Sequence, residues 1–203
     1  MSALRNELIR KSLHLLELPI LFGYTWIQNS FSERFAILAI TGLLLILLEI
    51  EYIRINYQYK IHSEVVDFFS KFILRKHEKN NLVGATFFII STIIAFAAFD
   101  YTVALIAMLM TVFGDLVASL TGVAFGSKKI FKNKSYIGTS CGLIANIAVG
   151  YIVLPQHSEI IIPMAVTASF VEMVTKKLDD NLTVPLFAGF VGQLVVFYAH
   201  ELL

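Results

Sequence analysis

The sequence predicts an all-α, polytopic membrane helix bundle of about seven transmembrane helices with an added amphipathic helix on the cytoplasmic face. Two observations carry this. Of the 203 residues, 57% are hydrophobic and only 15% charged, with a mean hydropathy of +0.75, which excludes an ordinary soluble globular protein. The basic residues are also segregated, and fifteen of the sixteen fall in four segments that seven crossings would bring to one side.

Apolar stretches able to cross about 30 Å of hydrocarbon at about 1.5 Å per residue lie at 13–28, 35–51, 82–99, 102–126, 136–154, 160–175 and 182–199. The first and sixth are at or below the usual minimum, so flanking polar residues must snorkel or the bilayer must thin. Cytoplasmic segments collect Lys and Arg. The N-terminus carries Arg5, Arg10 and Lys11, and the 52–81 connection carries Arg54, Lys60, Lys71, Arg75, Lys76 and Lys79. Lys128, Lys129, Lys132 and Lys134 follow in the 127–135 loop, and Lys176 and Lys177 in the 176–181 loop; Arg34 alone is opposite. The expected topology is a cytoplasmic N-terminus and cytoplasmic polar loops, with the C-terminus on the other side. The first span has a signal-like basic flank, but Glu17 and Pro19 interrupt its apolar run, and it is expected to be retained. The single cysteine, Cys141, can form no intrachain disulfide and fits no metal pattern.

Residues 1–203 read as one membrane domain without long linkers, internal repeats or low-complexity segments. In the 52–81 connection, Ile61, Val65, Phe68, Phe69, Phe72 and Ile73 recur at helical spacing against Glu64, Asp67, Lys71 and Arg75. This describes an amphipathic helix at about 60–80 that anchors on membrane lipids. The fourth span carries small residues at Gly114, Ala118, Gly122 and Gly126, and the fifth has Gly138, Gly142, Asn146 and Gly150. Such stripes let helix backbones approach and predict that these two helices pack together.

Asp115 stands in mid-run of the fourth span. A carboxylate at bilayer depth costs several kcal/mol unless paired, and so marks an ion, substrate or catalytic site. Ser119, one turn on, shares its face. Gly122-x-x-x-Gly126-Ser127-Lys128 has the wrong spacing and no preceding strand for a P-loop. A phosphate site must therefore come from loop lysines, backbone N–H groups and helix N-termini. Lys128 and Lys134 supply charge, Ser135 can cap the fifth span, and Gly138 permits close approach, with Thr139 beside it. Arg10, His14 and Glu17 share one helix face through i, i+4, i+7 spacing, where arginine and histidine can hold phosphate or pass protons.

Carboxylates supply the complementary half, since Mg²⁺ typically takes one or two of them plus phosphates and water. Glu172 and Lys176 are one turn apart, Lys177 follows, and Asp180-Asn181 opens the seventh span as its expected N-cap, with Pro185 just beyond. Glu49 and Glu51 read as salt-bridge partners rather than site residues. The site so read comprises Asp115 and His14 as candidate catalytic groups; Arg10, Lys11, Ser119, Lys128, Lys134, Ser135, Gly138, Thr139, Lys176 and Lys177 toward nucleotide and phosphate; and Asp115, Glu172, Asp180 and Asn181 toward metal.

In Arg10-Lys11-x-x-His14, Gly84-Ala85-Thr86, Gly114-Asp115-x-x-Ala118-Ser119-x-x-Gly122-x-x-x-Gly126, Lys134-Ser135-x-x-Gly138-Thr139 and the Glu172 to Pro185 string, the chain resembles the CTP-dependent lipid-alcohol kinases: dolichol kinase, phytol kinase and the CTP-using diacylglycerol kinase. The resemblance implies a helical membrane enzyme that moves the γ-phosphoryl group of CTP onto a lipid hydroxyl with Mg²⁺, giving CDP and a lipid phosphate. The chain is shorter than the eukaryotic dolichol kinases and looks like their core alone. The lipid hydroxyl's proton could go to Asp115 or His14. A cytidylyltransferase making a CDP-lipid is the nearest alternative, and an ion-coupled transporter a further one. No nucleic-acid partner is expected.

Overall fold

The structure, a computed structural model, describes residues 8, 11–12, 14–57, 81–131, 134–175 and 178–201. Among these, seven helices follow in order: α1 (Glu17–Ser30), α2 (Glu33–Tyr57), α3 (Gly84–Ala98), α4 (Tyr101–Phe125), α5 (Tyr136–Val153), α6 (Ser158–Val174) and α7 (Asp180–Glu201). Each coincides with one apolar run of the sequence. Four of them contain segments long and apolar enough to cross a membrane, Glu33–Asn56, Tyr101–Phe125, Tyr136–Val153 and Asp180–Tyr198. The protein is thus all-helical in its bulk and carries membrane-spanning character in α2, α4, α5 and α7. α1, α3 and α6 are too short to meet the same length, so four helices rather than seven carry the crossing on length and composition. The expected amphipathic helix at about 60–80 lies outside the described residues.

α4 is the axis of the bundle. Val103, Ile106 and Met110 on one side of it join Ile161, Met164, Val184 and Ala188 from α6 and α7. Ala104, Met108 and Val112 on another side join Leu21 and Tyr24 of α1, Ala36 and Ile40 of α2, and Phe88 and Phe96 of α3. α2 is peripheral and leaves Leu38, Leu45 and Ile46 exposed, as suits a surface facing hydrocarbon. Two hydroxyls are satisfied within their own helices: Thr41 Oγ1 donates to the Ile37 carbonyl at 2.7 Å and Thr111 Oγ1 to that of Ala107 at 2.9 Å. This removes them as candidate sites, because no bilayer water could otherwise meet their bonding capacity.

The predicted contact between α4 and α5 is the most extensive among the described residues. The two helices run antiparallel with small residues in register. Gly114 faces Asn146, Ala118 faces Gly142, and Gly122 faces Gly138. A Cβ added to Gly138 would lie 2.6 Å from the Ala118 carbonyl oxygen, and one added to Gly142 would lie 2.9 Å from Ala118 Cβ. Gly150 departs from the expected stripe, since it packs on Ile161 of α6 instead.

The lysine segment, read from the sequence as a loop, contains a small antiparallel hairpin of β1 (Lys129–Phe131) and β2 (Lys134–Ser135), pairing Lys129 with Ser135 and Phe131 with Lys134. It joins α4 to α5 and holds Lys134 against the bundle while Lys128 and Lys129 stay exposed.

Candidate functional site

Polar side chains buried among apolar helices gather at one end of α4. The helical turn at Lys11 and His14 precedes α1 and lies along α4. Lys11, 2% exposed, donates from Nζ to Oδ2 of the buried Asp115. His14 Nε2 lies 3.4 Å from the same oxygen, and its Nδ1 lies 2.7 Å from Glu17 Oε1. Ser119 Oγ donates to Asp115 Oδ1 at 3.1 Å, one helical turn away as its spacing predicts. Both oxygens of Asp115 are thereby engaged. Each partner is itself buried or half-buried, and the arrangement keeps a charged carboxylate inside the bundle by giving it a cation and a hydroxyl.

A second pair stands beside the first. Lys134 Nζ donates to Glu172 Oε1 at 2.5 Å, tying the hairpin to the last turn of α6. Burial alone would lower the Lys134 pKa, but the Glu172 carboxylate first, then Asp115 and Asp180, outweigh it and hold the value above the usual lysine range. Asp115 and Asp180 act on Lys134 from α4 and from the start of α7, so the two pairs form one charged cluster. Ser135 caps α5 as predicted, its Oγ accepting from the Gly138 N–H at 3.1 Å.

The start of α7 corrects the sequence reading. Asp179, not Asp180 or Asn181, is the cap: its Oδ1 accepts from the Asn181 N–H at 3.0 Å, and its carbonyl accepts from Leu182 and Thr183 at 3.1 Å each. Three consecutive cap-forming residues stand here, and the helix begins after the first. Asp180 is left with a buried Oδ1 that has no hydrogen-bond partner. Asn181 is buried, and its Nδ2 fills the space at Gly84, where an added Cβ would lie 2.7 Å away. Its carbonyl accepts from Ser91 Oγ at 2.7 Å, linking α7 to α3.

Of the residues singled out in the sequence, Lys11, His14, Asp115, Ser119, Lys134, Ser135, Gly138, Glu172, Asp180 and Asn181 meet at this end of the bundle. Lys128 is exposed; its carbonyl accepts from the Tyr136 N–H at 3.2 Å. Thr139 is half-buried in the first turn of α5. Arg10, Lys176 and Lys177 lie outside the described residues. Glu51 pairs with Arg54 at 2.6 Å, the salt bridge expected for it. Among the described residues, no three His, Cys, Asp or Glu side chains group closely enough to hold a metal by themselves.

Two residues have more part in the site than their sequence context suggested. Glu17 orients His14, and its spacing from that histidine was the available signal. Asn146, read as a small residue of the stripe, is 1% exposed, donates from Nδ2 to Ser169 Oγ at 3.1 Å, and keeps an unpartnered Oδ1 against Gly114, next to Asp115. Searches with models of protein families, against characterised proteins and against solved structures find no match to this chain.

Proposed function

We propose that the protein is a membrane-embedded kinase that transfers the γ-phosphoryl group of CTP to the hydroxyl of a lipid alcohol such as a polyprenol, phytol or diacylglycerol, giving CDP and a lipid phosphate. The observation that carries this reading is the convergence of Lys11, Asp115, Lys134 and Glu172 from four separate segments into one largely buried cluster. Phosphoryl transfer asks a protein for alignment and charge neutralisation more than for covalent chemistry, and paired lysines and carboxylates provide both. In the same reading α1, α3 and α6 complete the crossing to seven spans, and the positive-inside bias puts the cluster and hairpin on the cytoplasmic side, where nucleotides are.

Lys11 and Lys134 bind the triphosphate, exchanging carboxylate oxygens for phosphate oxygens, and the N-terminal turn of α5 presents its positive dipole end to the same anion. The sequence adds further positive charge at Arg10, Lys128, Lys176 and Lys177. The resemblance implies Mg²⁺, and the unpartnered, buried Oδ1 of Asp180 beside Glu172 fits a donor set of one or two carboxylates completed by phosphates and water. Asp180 and Glu172, with Asp115 and Asn181 nearby, would hold the ion, which neutralises charge on the triphosphate. For the acceptor proton the geometry favours His14. His14 Nε2 has no hydrogen-bond partner, and Glu17 holds Nδ1. Asp115 then stabilises the imidazolium that forms.

The test incubates purified protein with Mg²⁺, labelled CTP or ATP, and dolichol, phytol or diacylglycerol, and identifies both products. CDP with a lipid phosphate supports the kinase. Pyrophosphate with cytidine retained on a lipid, from a lipid phosphate acceptor, would make it a cytidylyltransferase, and nucleotide-independent ion flux would make it a transporter.

A further inference from the structure

At the opposite end of the bundle from Asp115, a cavity of about 320 Å³ opens between the end of α1, the start of α2 and the turn that joins α3 to α4. Its walls include Tyr24, Gln28, Glu33, Phe96, Asp100 and Tyr101. We propose that this cavity binds a primary ammonium group, carried by a lipid headgroup or by a free amine.

The lining is rich in acceptors and carries no lysine or arginine. Glu33 and Asp100 bring two carboxylates. Asp100 is fixed in place, its Oδ2 accepting from Gln193 Nε2 at 3.1 Å and its N–H donating to Gln193 Oε1 at 2.8 Å. A bare metal ion would leave most of such a volume unfilled, whereas an organic cation suits it.

Two buried polar atoms point to a missing partner independently of that charge. Tyr24 is 2% exposed, yet its hydroxyl has no hydrogen-bond partner, and neither does Gln28 Oε1. Glu33 and Tyr101 lie close enough to the Tyr24 hydroxyl to interact with it electrostatically. Buried polar groups are normally hydrogen-bonded because leaving them unsatisfied is unfavourable, and both can accept an N–H. The aromatic wall adds a second feature suited to a cation. Tyr24 stacks on Phe96 with ring centroids 4.0 Å apart, and Phe96 meets Tyr101 at 5.6 Å. Ring faces attract ammonium groups. The acceptors select N–H donors, so a primary ammonium should be preferred to a quaternary one of equal charge.

The experiment titrates the full chain in neutral detergent with butylammonium chloride and, separately, with dihexanoyl phosphatidylethanolamine, following thermal stability. Tetramethylammonium and dihexanoyl phosphatidylglycerol serve as controls. A saturable rise in Tm with either amine probe and not with the controls is expected. Response to both amine probes marks recognition of the ammonium itself, and response to phosphatidylethanolamine alone marks the lipid headgroup as its source. The exposed Glu33→Gln should weaken the response about tenfold, as loss of a charge-assisted contact does, and Tyr24→Phe should weaken it less. No saturable response to either amine, an equal response to tetramethylammonium, or an unchanged response in folded Glu33→Gln would overturn the proposal.

Discussion

Lys11 donates to Asp115 across 104 residues of sequence, and both side chains are buried. The pair fixes the turn before α1 onto α4, so it sets the position of His14 and of whatever the cluster binds.

Because each member of that pair is buried, removing one leaves an uncompensated charge. Lys11→Met or Asp115→Asn alone should cost about 3–5 kcal/mol, and the double substitution should recover much of that loss. Denaturation of the four proteins in one detergent measures it. Additive losses would mean that the two groups do not interact energetically.

The α4–α5 contact gives a prediction with an internal control. Gly138→Ala puts a methyl against the Ala118 carbonyl and should destabilise by about 1–3 kcal/mol, as overpacking does. Gly42 has open space around it, so Gly42→Ala should be neutral or stabilise by up to about 1 kcal/mol. Equal effects at the two positions would contradict the packing described.

The neighbours Asp179 and Asp180 should separate stability from activity. Asp179→Ala removes a helix cap and should cost about 1 kcal/mol, with little change in turnover by the folded fraction. Asp180→Asn should leave Tm nearly unchanged and lower lipid-phosphate formation on the order of a hundredfold, the scale for losing a group that stabilises transferring charge. Thermal melts and initial rates on the same preparations decide this.

Much of this architecture was legible because apolar run length is a strong signal. All seven helices coincide with predicted stretches, and the largest boundary change is the end of the second, from 51 to Tyr57. The α4–α5 contact was legible because residues four apart share a helix face, so Gly114, Ala118 and Gly122 marked it. The crossing was not settled in the same way, since α1, α3 and α6 are short. The Lys11–Asp115 and Lys134–Glu172 pairs were not legible, because no local rule links residues so far apart. Nor was the hairpin, whose strands of three and two residues carry too little periodicity. At the start of α7, three successive cap-forming residues hid which one capped.

Lys134 provides a pH test outside the helices. Glu172 and Asp115 raise its pKa against the effect of burial, so it remains protonated where an ordinary lysine begins to lose its proton. Its stabilising contribution is full below the unfolded value of about 10.4 and is lost as pH rises through the higher folded value. Amine-specific labelling at about pH 9 should therefore be slower at Lys134 than at exposed Lys128 and Lys129, and Glu172→Gln should accelerate it. Mass spectrometry of digests reports all three sites. Equal labelling of Lys134 in wild type and Glu172→Gln would contradict the pairing.

The most direct measurement follows two labels of CTP in parallel, one on the γ-phosphate and one on the α-phosphate, with a lipid alcohol acceptor. The account predicts that the γ-label alone moves to the lipid, that CDP keeps the α-label, and that His14→Gln and Asp115→Asn proteins of normal fold lose the transfer. Appearance of the α-label on lipid, or undiminished γ-transfer by folded Asp115→Asn, would contradict it.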